Sequence, residues 1–130
     1  KEVYELAHRL PGNALHPLAS IAPDADLASG NVLHAGCVVQ HEVQVQALNY
    51  FSAQVVLECG ARVGSFNTLQ AGVIVGAGAV IEHQVYIGQG AIIGPGVVVA
   101  QGALVAPGAV VLQHVAEGQK VYGNPAAPTR

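Results

Sequence analysis

The sequence predicts an all-β fold, a three-sided parallel solenoid, because large apolar residues recur at every sixth position and asparagines recur in every third hexapeptide. Internal periods of this kind are typical of solenoids, in which each short repeat packs against its neighbours along one axis. The apolar residues at every sixth position are therefore the predicted core. They are Ile21, Leu27, Leu33, Val39, Val45, Phe51, Leu57, Val63, Leu69, Val75, Ile81, Ile87, Ile93, Val99, Val105 and Val111.

A second column, four positions after each of these, holds small or slim side chains except at Asn31, Asn49 and Asn67. With Asn13, these asparagines are spaced three hexapeptides apart, so three hexapeptides return the chain to the same column. The spacing predicts triangular coils of three short strands each, which stack as parallel strands about 4.8 Å apart. The asparagines are expected to form an amide ladder inside the solenoid or to occupy turns with left-handed backbone.

The two ends of such a stack need caps, because they expose unpaired strand edges. Residues 1–12 are expected to form a short amphipathic helix that stops at Pro11–Gly12. The predicted organisation is a lead-in at residues 1–20, a solenoid of about five coils at 21–116 and a Gly/Pro-rich tail at 117–130. We expect the tail to fold over the last coil or to reach a neighbouring chain.

Composition and charge exclude several other classes of protein. The chain of 130 residues contains 10% charged residues and has a net charge near −3, so it has no electrostatic basis for binding nucleic acid or an anionic membrane. Residues 87–113 carry no charge, but their glycines and prolines would dismantle a membrane-spanning helix. The two cysteines, Cys37 and Cys59, are expected to be free thiols in a cytoplasmic protein.

Three motifs add a family resemblance: LHP at residues 15–17, VVQHEV at 38–43 and VYGNPA at 121–126. Together with the hexads they resemble the bacterial sugar O- and N-acetyltransferases of the sialic-acid and bacillosamine type, over about residues 15–127. The resemblance implies a left-handed parallel β-helix of about five coils, assembled as a homotrimer with acetyl-CoA in a groove between adjacent β-helices. It also implies acetyl transfer to the amine or hydroxyl of a sugar or nucleotide sugar.

In that family a histidine removes the proton of the acceptor and an adjacent acid orients the histidine, a pairing suited to general base catalysis. The best match by downstream context is His41, with Glu42 as the acid. A gapless alignment to the tail motif instead places Cys59 at the site, which exchanges the imidazole for a thiol or leaves a site without a base. His83 resembles the motif locally, but it follows His41 by two coils plus one hexad, which puts it on another face.

The resemblance also assigns binding residues. Acetyl-CoA is expected near Gly60, Gly76 and Gly78, and backbone amides at glycine-rich turns are expected to hold the thioester oxygen as it becomes anionic. The acceptor is expected near Asn49 and Tyr50, and family members have a histidine at the Tyr50 position. No metal is expected, because the closely spaced histidine pair of the zinc carbonic anhydrases of this fold is absent.

Outward-facing aliphatic residues favour a trimer, because they are more numerous than a monomer would expose. They are Val32, Val38, Val56, Ile74, Val80, Ile92, Val98, Leu104 and Val110. The alternative function is a non-catalytic hexapeptide-repeat scaffold or binding module that has lost its base. Family members also carry an amino-terminal nucleotide-sugar-binding domain, of which this chain has room for the last helix alone. Either the acceptor is not a nucleotide sugar bound in that manner, or the chain is a fragment or a minimal relative of the family.

Overall fold

A computed structural model describes residues 10–128, and within this range the chain forms strands and turns with no helix. The strands form three sheets, which we name A, B and C in the order in which each coil visits them. Nearly every pairing is parallel and joins residues that are three hexads apart in the sequence. The predicted all-β parallel solenoid is confirmed.

Each strand is short, and the three sheets differ in the number of coils that they span. Sheet A contains β1 (Ala14–Leu15), β4 (Val32–Leu33), β7 (Tyr50–Phe51), β10 (Thr68–Leu69), β13 (Tyr86–Ile87), β16 (Leu104–Val105), β18 (Lys120–Gly123) and β19 (Ala126–Pro128). Sheet B contains β2 (Ser20–Ile21), β5 (Val38–Val39), β8 (Val56–Leu57), β11 (Ile74–Val75), β14 (Ile92–Ile93) and β17 (Val110–Val111). Sheet C contains β3 (Asp26–Leu27), β6 (Gln44–Val45), β9 (Arg62–Val63), β12 (Val80–Ile81) and β15 (Val98–Val99).

The solenoid has about six coils, one more than the sequence predicted. At its start, Leu15 pairs with Leu33 and begins the stack one strand before Ile21. At its end, Val121 pairs with Val105, a partner closer in the sequence than the regular register of three hexads would give. This last coil is therefore shortened, and the shift in phase places Val121, which is buried, outside the hexad series.

The core consists of the hexad residues that the sequence predicted. All sixteen hexad residues face inward, and all but Ile21 are buried; Ile21 is half-buried and packs against the core. The slim residues four positions later are buried as well, because both columns fill the interior of the prism. Burial of this aliphatic surface drives folding, and each coil gains it by stacking on the next.

The asparagine column forms the predicted amide ladder. The Oδ1 atom of Asn13 accepts the backbone N–H of Asn31 at 2.9 Å, and Asn31 accepts that of Asn49 at 2.9 Å. The pattern continues from Asn49 to the N–H of Asn67 at 2.9 Å, and from Asn67 to the N–H of Val85 at 2.8 Å. The ladder therefore satisfies buried backbone donors at one corner of four successive coils.

Left-handed backbone, the other interpretation of these asparagines, falls instead on the residue before each of the four. The φ angle is 83° at Gly12, 80° at Gly30, 65° at Leu48 and 63° at Phe66. Positive φ is unfavourable for bulky side chains such as those of Leu48 and Phe66. The ladder hydrogen bonds of the next residues, Asn49 and Asn67, stabilise the backbone at these corners.

Both ends of the solenoid depart from the regular coil. Of the predicted N-terminal helix, residues 1–9 lie outside the described range, while Leu10 is buried against the core and Pro11–Gly12 form a turn. At the other end, β18 and β19 form an antiparallel hairpin with a cis peptide between Asn124 and Pro125. Ala126 of this hairpin packs against the core, so the tail folds over the last coil.

Across residues 10–128, the chain contains no helix with the length and apolar character that crossing a membrane requires.

Candidate active site

The turn between sheets B and C, which we call the B–C corner, brings together His41 and Asp24. His41 lies one coil above Asp24, and its Nδ1 atom is 3.0 Å from Oδ1 of Asp24. An ionised carboxylate only accepts hydrogen bonds, so Nδ1 of His41 carries the proton and donates the hydrogen bond to Asp24. The side chains are 67% and 50% exposed, respectively. The Nε2 atom is therefore left with a lone pair at an open surface, as a general base requires.

The electrostatics at this corner favour the ionised form of Asp24. Desolvation raises the pKa of the Asp24 carboxyl, but hydrogen bonds from the His41 ring and the backbone N–H of Glu42, with the charge of His41, hold that pKa below its ordinary value. A carboxyl with a lowered pKa stabilises the fold above its unfolded-state pKa, and the stabilisation is lost as pH falls through the folded-state pKa. Because both side chains are exposed, salt screens much of this effect.

The His41→Ala variant should therefore raise the pKa of Asp24 towards its ordinary value, because the hydrogen bond and the positive charge are both removed. Carboxyl-detected NMR titration of Asp24 in the wild type and the variant measures this change. An Asp24 midpoint that is the same in both proteins would contradict the pairing.

Glu42, the expected partner of His41, occupies the same corner in a different role. Its φ is 62°, and its backbone N–H, rather than its carboxylate, contributes to the site by lowering the pKa of Asp24. The acid that contacts His41 is thus Asp24, which the sequence analysis missed. A signal was present: the separation between Asp24 and His41 in the sequence is one coil less one position, which places the two residues side by side in the stack.

Cys59 lies in the coil above His41, as its spacing of three hexads from His41 predicted. Its backbone N–H and its Sγ atom contact Oε1 of Gln40 at 3.1 Å and 3.3 Å. The thiol is exposed and free, and Cys37, the other cysteine, is free and buried. Burial raises the pKa of Cys37, which keeps it a neutral thiol.

Over residues 10–128, no three His, Cys, Asp or Glu side chains come together as metal ligands.

His83 lies at the corner between sheets C and A, which we call the C–A corner, and its ring is oriented by the backbone. Its Nδ1 atom accepts the N–H of Ser65 at 2.8 Å. Nε2 therefore carries the proton in the neutral ring, so His83 presents a donor where His41 presents an acceptor. Gly64 makes this arrangement possible, because a Cβ there would lie 2.6 Å from Nδ1 of His83. The predicted location of His83 away from His41 is confirmed.

The three glycines expected near acetyl-CoA divide into two kinds. Gly60 and Gly78 have φ values of 74° and 69° and lie at the B–C corner, where an added Cβ at Gly78 would meet open space. Gly76 is buried, and a Cβ there would lie 2.7 Å from the carbonyl oxygen of Ile93, so close packing of the next coil explains this glycine.

The amides of these corner glycines are not free to bind a thioester oxygen. The N–H of Gly60 donates to the carbonyl of His41 at 3.0 Å, and that of Gly78 donates to the carbonyl of Cys59 at 3.0 Å. Both bonds join successive coils. The expectation that backbone amides at glycine turns hold the oxyanion therefore does not apply to Gly60 and Gly78.

The two residues expected to contact the acceptor point in opposite directions. Asn49 is 2% exposed, and its amide is bonded within the ladder and to the carbonyl of Gly64 at 2.8 Å. It therefore has a structural position that a substrate does not reach. Tyr50, the next residue, faces solvent from sheet A and meets His34 edge to face at 5.2 Å between ring centroids.

The outward aliphatic residues concentrate on one face. Five of the nine lie on successive strands of sheet B. The sequence identified these residues but did not show that they share one face. They are Val38, Val56, Ile74, Ile92 and Val110. Their side chains are half-buried or exposed, which leaves a continuous aliphatic strip next to the B–C corner.

Comparison with known proteins supports the same fold. Residues 68–101 match the family described as bacterial transferase hexapeptide (six repeats). No curated protein matches the sequence. Among solved structures, a variant of AntD, an N-acyltransferase from Bacillus cereus in complex with dTDP and coenzyme A, has a TM-score of 0.86 at 17% identity and covers 98% of this chain and 87% of its own.

Two further structures are similar. PerB from Caulobacter crescentus, in complex with CoA and GDP-perosamine, has a TM-score of 0.66 at 25% identity, with 99% of this chain and 64% of PerB aligned. The acetyltransferase domain of PglB from Neisseria gonorrhoeae has a TM-score of 0.60 at 21% identity, with 92% of this chain and 55% of that chain aligned. Residues 68–101 thus match bacterial-transferase hexapeptide repeats, and the predicted resemblance of the chain to hexapeptide-repeat sugar acyltransferases is confirmed.

Proposed function

We propose that the protein is a CoA-dependent acyltransferase that transfers an acetyl group to the amine or hydroxyl of a sugar or nucleotide sugar. The observation that carries this proposal is the hydrogen bond of 3.0 Å from His41 to Asp24, which leaves Nε2 of His41 able to accept a proton at an exposed corner. The CoA and nucleotide ligands of AntD and PerB support the two classes of substrate.

In the proposed reaction, Nε2 of His41 removes a proton as the acceptor nitrogen or oxygen attacks the thioester carbonyl. The new C–N or C–O bond forms, the C–S bond breaks, and the proton on His41 passes to the departing CoA thiolate. Asp24 keeps the ring in the required tautomer and stabilises its protonated form. The backbone N–H of Glu42 helps to hold the pKa of Asp24 low and so favours its ionised form.

We also propose a homotrimer with the acyl-CoA bound between adjacent solenoids, near Gly60 and Gly78. The aliphatic strip of sheet B supports an interface, because an apolar face of this extent is unusual for a monomer. The strip borders the corner that holds His41, so a neighbouring chain on sheet B would enclose the site on one side. Sedimentation equilibrium tests the stoichiometry against the chain mass of 13.2 kDa.

A cytoplasmic location is part of the proposal. Cys37 and Cys59 are both free, which is the usual state of cysteines in a reducing compartment.

Release of free CoA from acetyl-CoA, measured with a thiol reagent and a panel of amino and neutral sugars with or without a nucleotide, tests the proposed activity. We expect turnover that depends on both substrates, and an increase in thermal stability with CoA, because a ligand that binds the native state stabilises it. AntD has been solved with 3-hydroxybutyryl-CoA, so the same assay with that donor tests the choice of acetyl group. The absence of both turnover and stabilisation would favour the non-catalytic scaffold.

A further inference from the structure

The outer face of sheet C carries two adjoining clefts that share three side chains. One has a volume of about 440 Å³ and extends to the B–C corner, and the other has a volume of about 360 Å³ and extends to the C–A corner. Asp26, Gln44 and Arg62 line both. The two clefts therefore adjoin across the sheet, with Arg62 where they meet.

Arg62 is the distinctive group on this surface. Within residues 10–128, Arg62 and Lys120 are the only lysine or arginine side chains, and Lys120 lies on sheet A. Arg62 is exposed and has no ion pair with a described residue. Its strand neighbours are Gln44 and Val80, which are neutral. Its guanidinium is thus an unpaired cation at the centre of a concave surface.

The position of Arg62 relates it directly to His41. Gln44 follows His41 by three positions, a span of at most about 10 Å between Cα atoms. Arg62 pairs with Gln44 in the next strand, about 4.8 Å away. A ligand whose reacting end lies at His41 can therefore reach the guanidinium with a group further along its length.

The charges on the surface are distributed unequally between its two ends. Asp24, Asp26 and Glu42 line the cleft beside His41, which makes that end acidic, and Asp26 lies two strands from Arg62 on sheet C. Beyond Arg62, His83 presents the donor Nε2–H, and the carboxylate of Glu82 accepts the N–H of Gln101 at 3.0 Å. Such a pattern suits a ligand with a neutral or positive group at the His41 end and a negative group at Arg62.

We propose that Arg62 binds the phosphate or diphosphate group of a substrate whose reacting end lies at His41. The inference rests on the proposed function, since acyl-CoA and a nucleotide-linked sugar both carry a diphosphate. A guanidinium binds phosphate oxygens in bidentate fashion and remains charged at every physiological pH. Arg62 then determines affinity for the phosphorylated substrate and takes no part in proton transfer.

The test is the Arg62→Gln variant in steady-state kinetics with acetyl-CoA and an amino sugar linked to a nucleoside diphosphate. We expect KM for one of these substrates to rise about ten- to a hundredfold, because charged hydrogen bonds are lost, while kcat changes by less than about threefold. Arg62→Lys should lie between the two proteins, since it keeps the charge and loses the bidentate geometry. Lys120→Gln, which removes the cation on sheet A, should match the wild type.

Two further arms identify the source of the phosphate. If the acceptor supplies it, KM for the free amino sugar should be the same in the wild type and Arg62→Gln, and calorimetric titration should show loss of nucleoside diphosphate binding. If acyl-CoA supplies it, KM for acetyl-CoA and the affinity for CoA should change instead. Unchanged KM values for both substrates would overturn the inference and leave the proposed function standing.

Failure of the proposed function has a different signature. A wild type that turns over no acceptor would refute the proposed acyltransferase activity. The calorimetric titrations would still decide the role of Arg62. Loss of nucleoside diphosphate or CoA binding in Arg62→Gln would support an anion site, and equal binding by both proteins, or binding by neither, would overturn it.

Discussion

Replacing His41 with alanine should lower kcat for acyl transfer about 10²- to 10⁴-fold, the range over which a positioned general base contributes. The reason is geometric: Nδ1 of His41 donates to Asp24 at 3.0 Å, so the loss of the ring removes the acceptor Nε2 from the B–C corner. CoA release under saturating acetyl-CoA measures the effect. The fold should be unaffected, because both side chains of the pair are at least half exposed.

Three further variants serve as comparisons for His41→Ala. Asp24→Asn keeps a similar shape but no longer requires the proton on Nδ1, so its kcat should fall less than that of His41→Ala. His114→Ala removes an exposed histidine at the far end of the solenoid, whose Nδ1 accepts the N–H of Val98, and should retain wild-type activity. Cys59→Ala should also remain active. Wild-type turnover by His41→Ala, or loss of turnover in Cys59→Ala alone, would move the chemistry to the thiol.

The largest expected effect on stability is that of Phe51→Ala, at about 3–5 kcal/mol of unfolding free energy. Phe51 is the largest of the fully buried side chains, at 1% exposed, and it stacks between Leu33 and Leu69 of the neighbouring coils. Truncation leaves a cavity inside a prism whose backbone is held on all three sides, so the walls have little freedom to collapse. Urea unfolding followed by circular dichroism at a fixed protein concentration measures the change.

Tyr50→Ala is the control for that measurement, because Tyr50 is the preceding residue of the same strand and faces solvent. It should cost less than about 1 kcal/mol, as substitutions at exposed positions usually do. Equal losses in the two variants would mean that the inward assignment of the hexad positions does not describe the core.

The fold was predictable because its cause repeats. A large residue at every sixth place specifies one buried side chain per strand, and three strands per coil specify the prism. An exception at one position therefore does not obscure the pattern. The differences from the prediction lie at the two ends of the stack. The shortened last coil moved Val121 out of the series, and the start at Leu15 was missed because the count began at Ile21.

The site was less predictable, because it depends on contacts between coils and on hydrogen-bond direction. His41 was found from its context, but Asp24 contacts it from the coil below at an offset one position short of a full coil, which a search at whole coils overlooks. Asn49 was assigned to substrate by its position in an alignment, whereas the ladder that buries it is a property of the stack. That His83 presents a donor follows only from its contact with Ser65.

The returning strand β19 also bears on self-association. A stack of identical coils ends in open edges that a second molecule can extend indefinitely, the geometry by which solenoids grow into fibres. Here the final coil is shortened and β19 runs antiparallel along β18, so the terminal strand of sheet A offers the wrong polarity for another parallel coil. The hairpin thus closes sheet A to the addition of another parallel coil at this end of the stack.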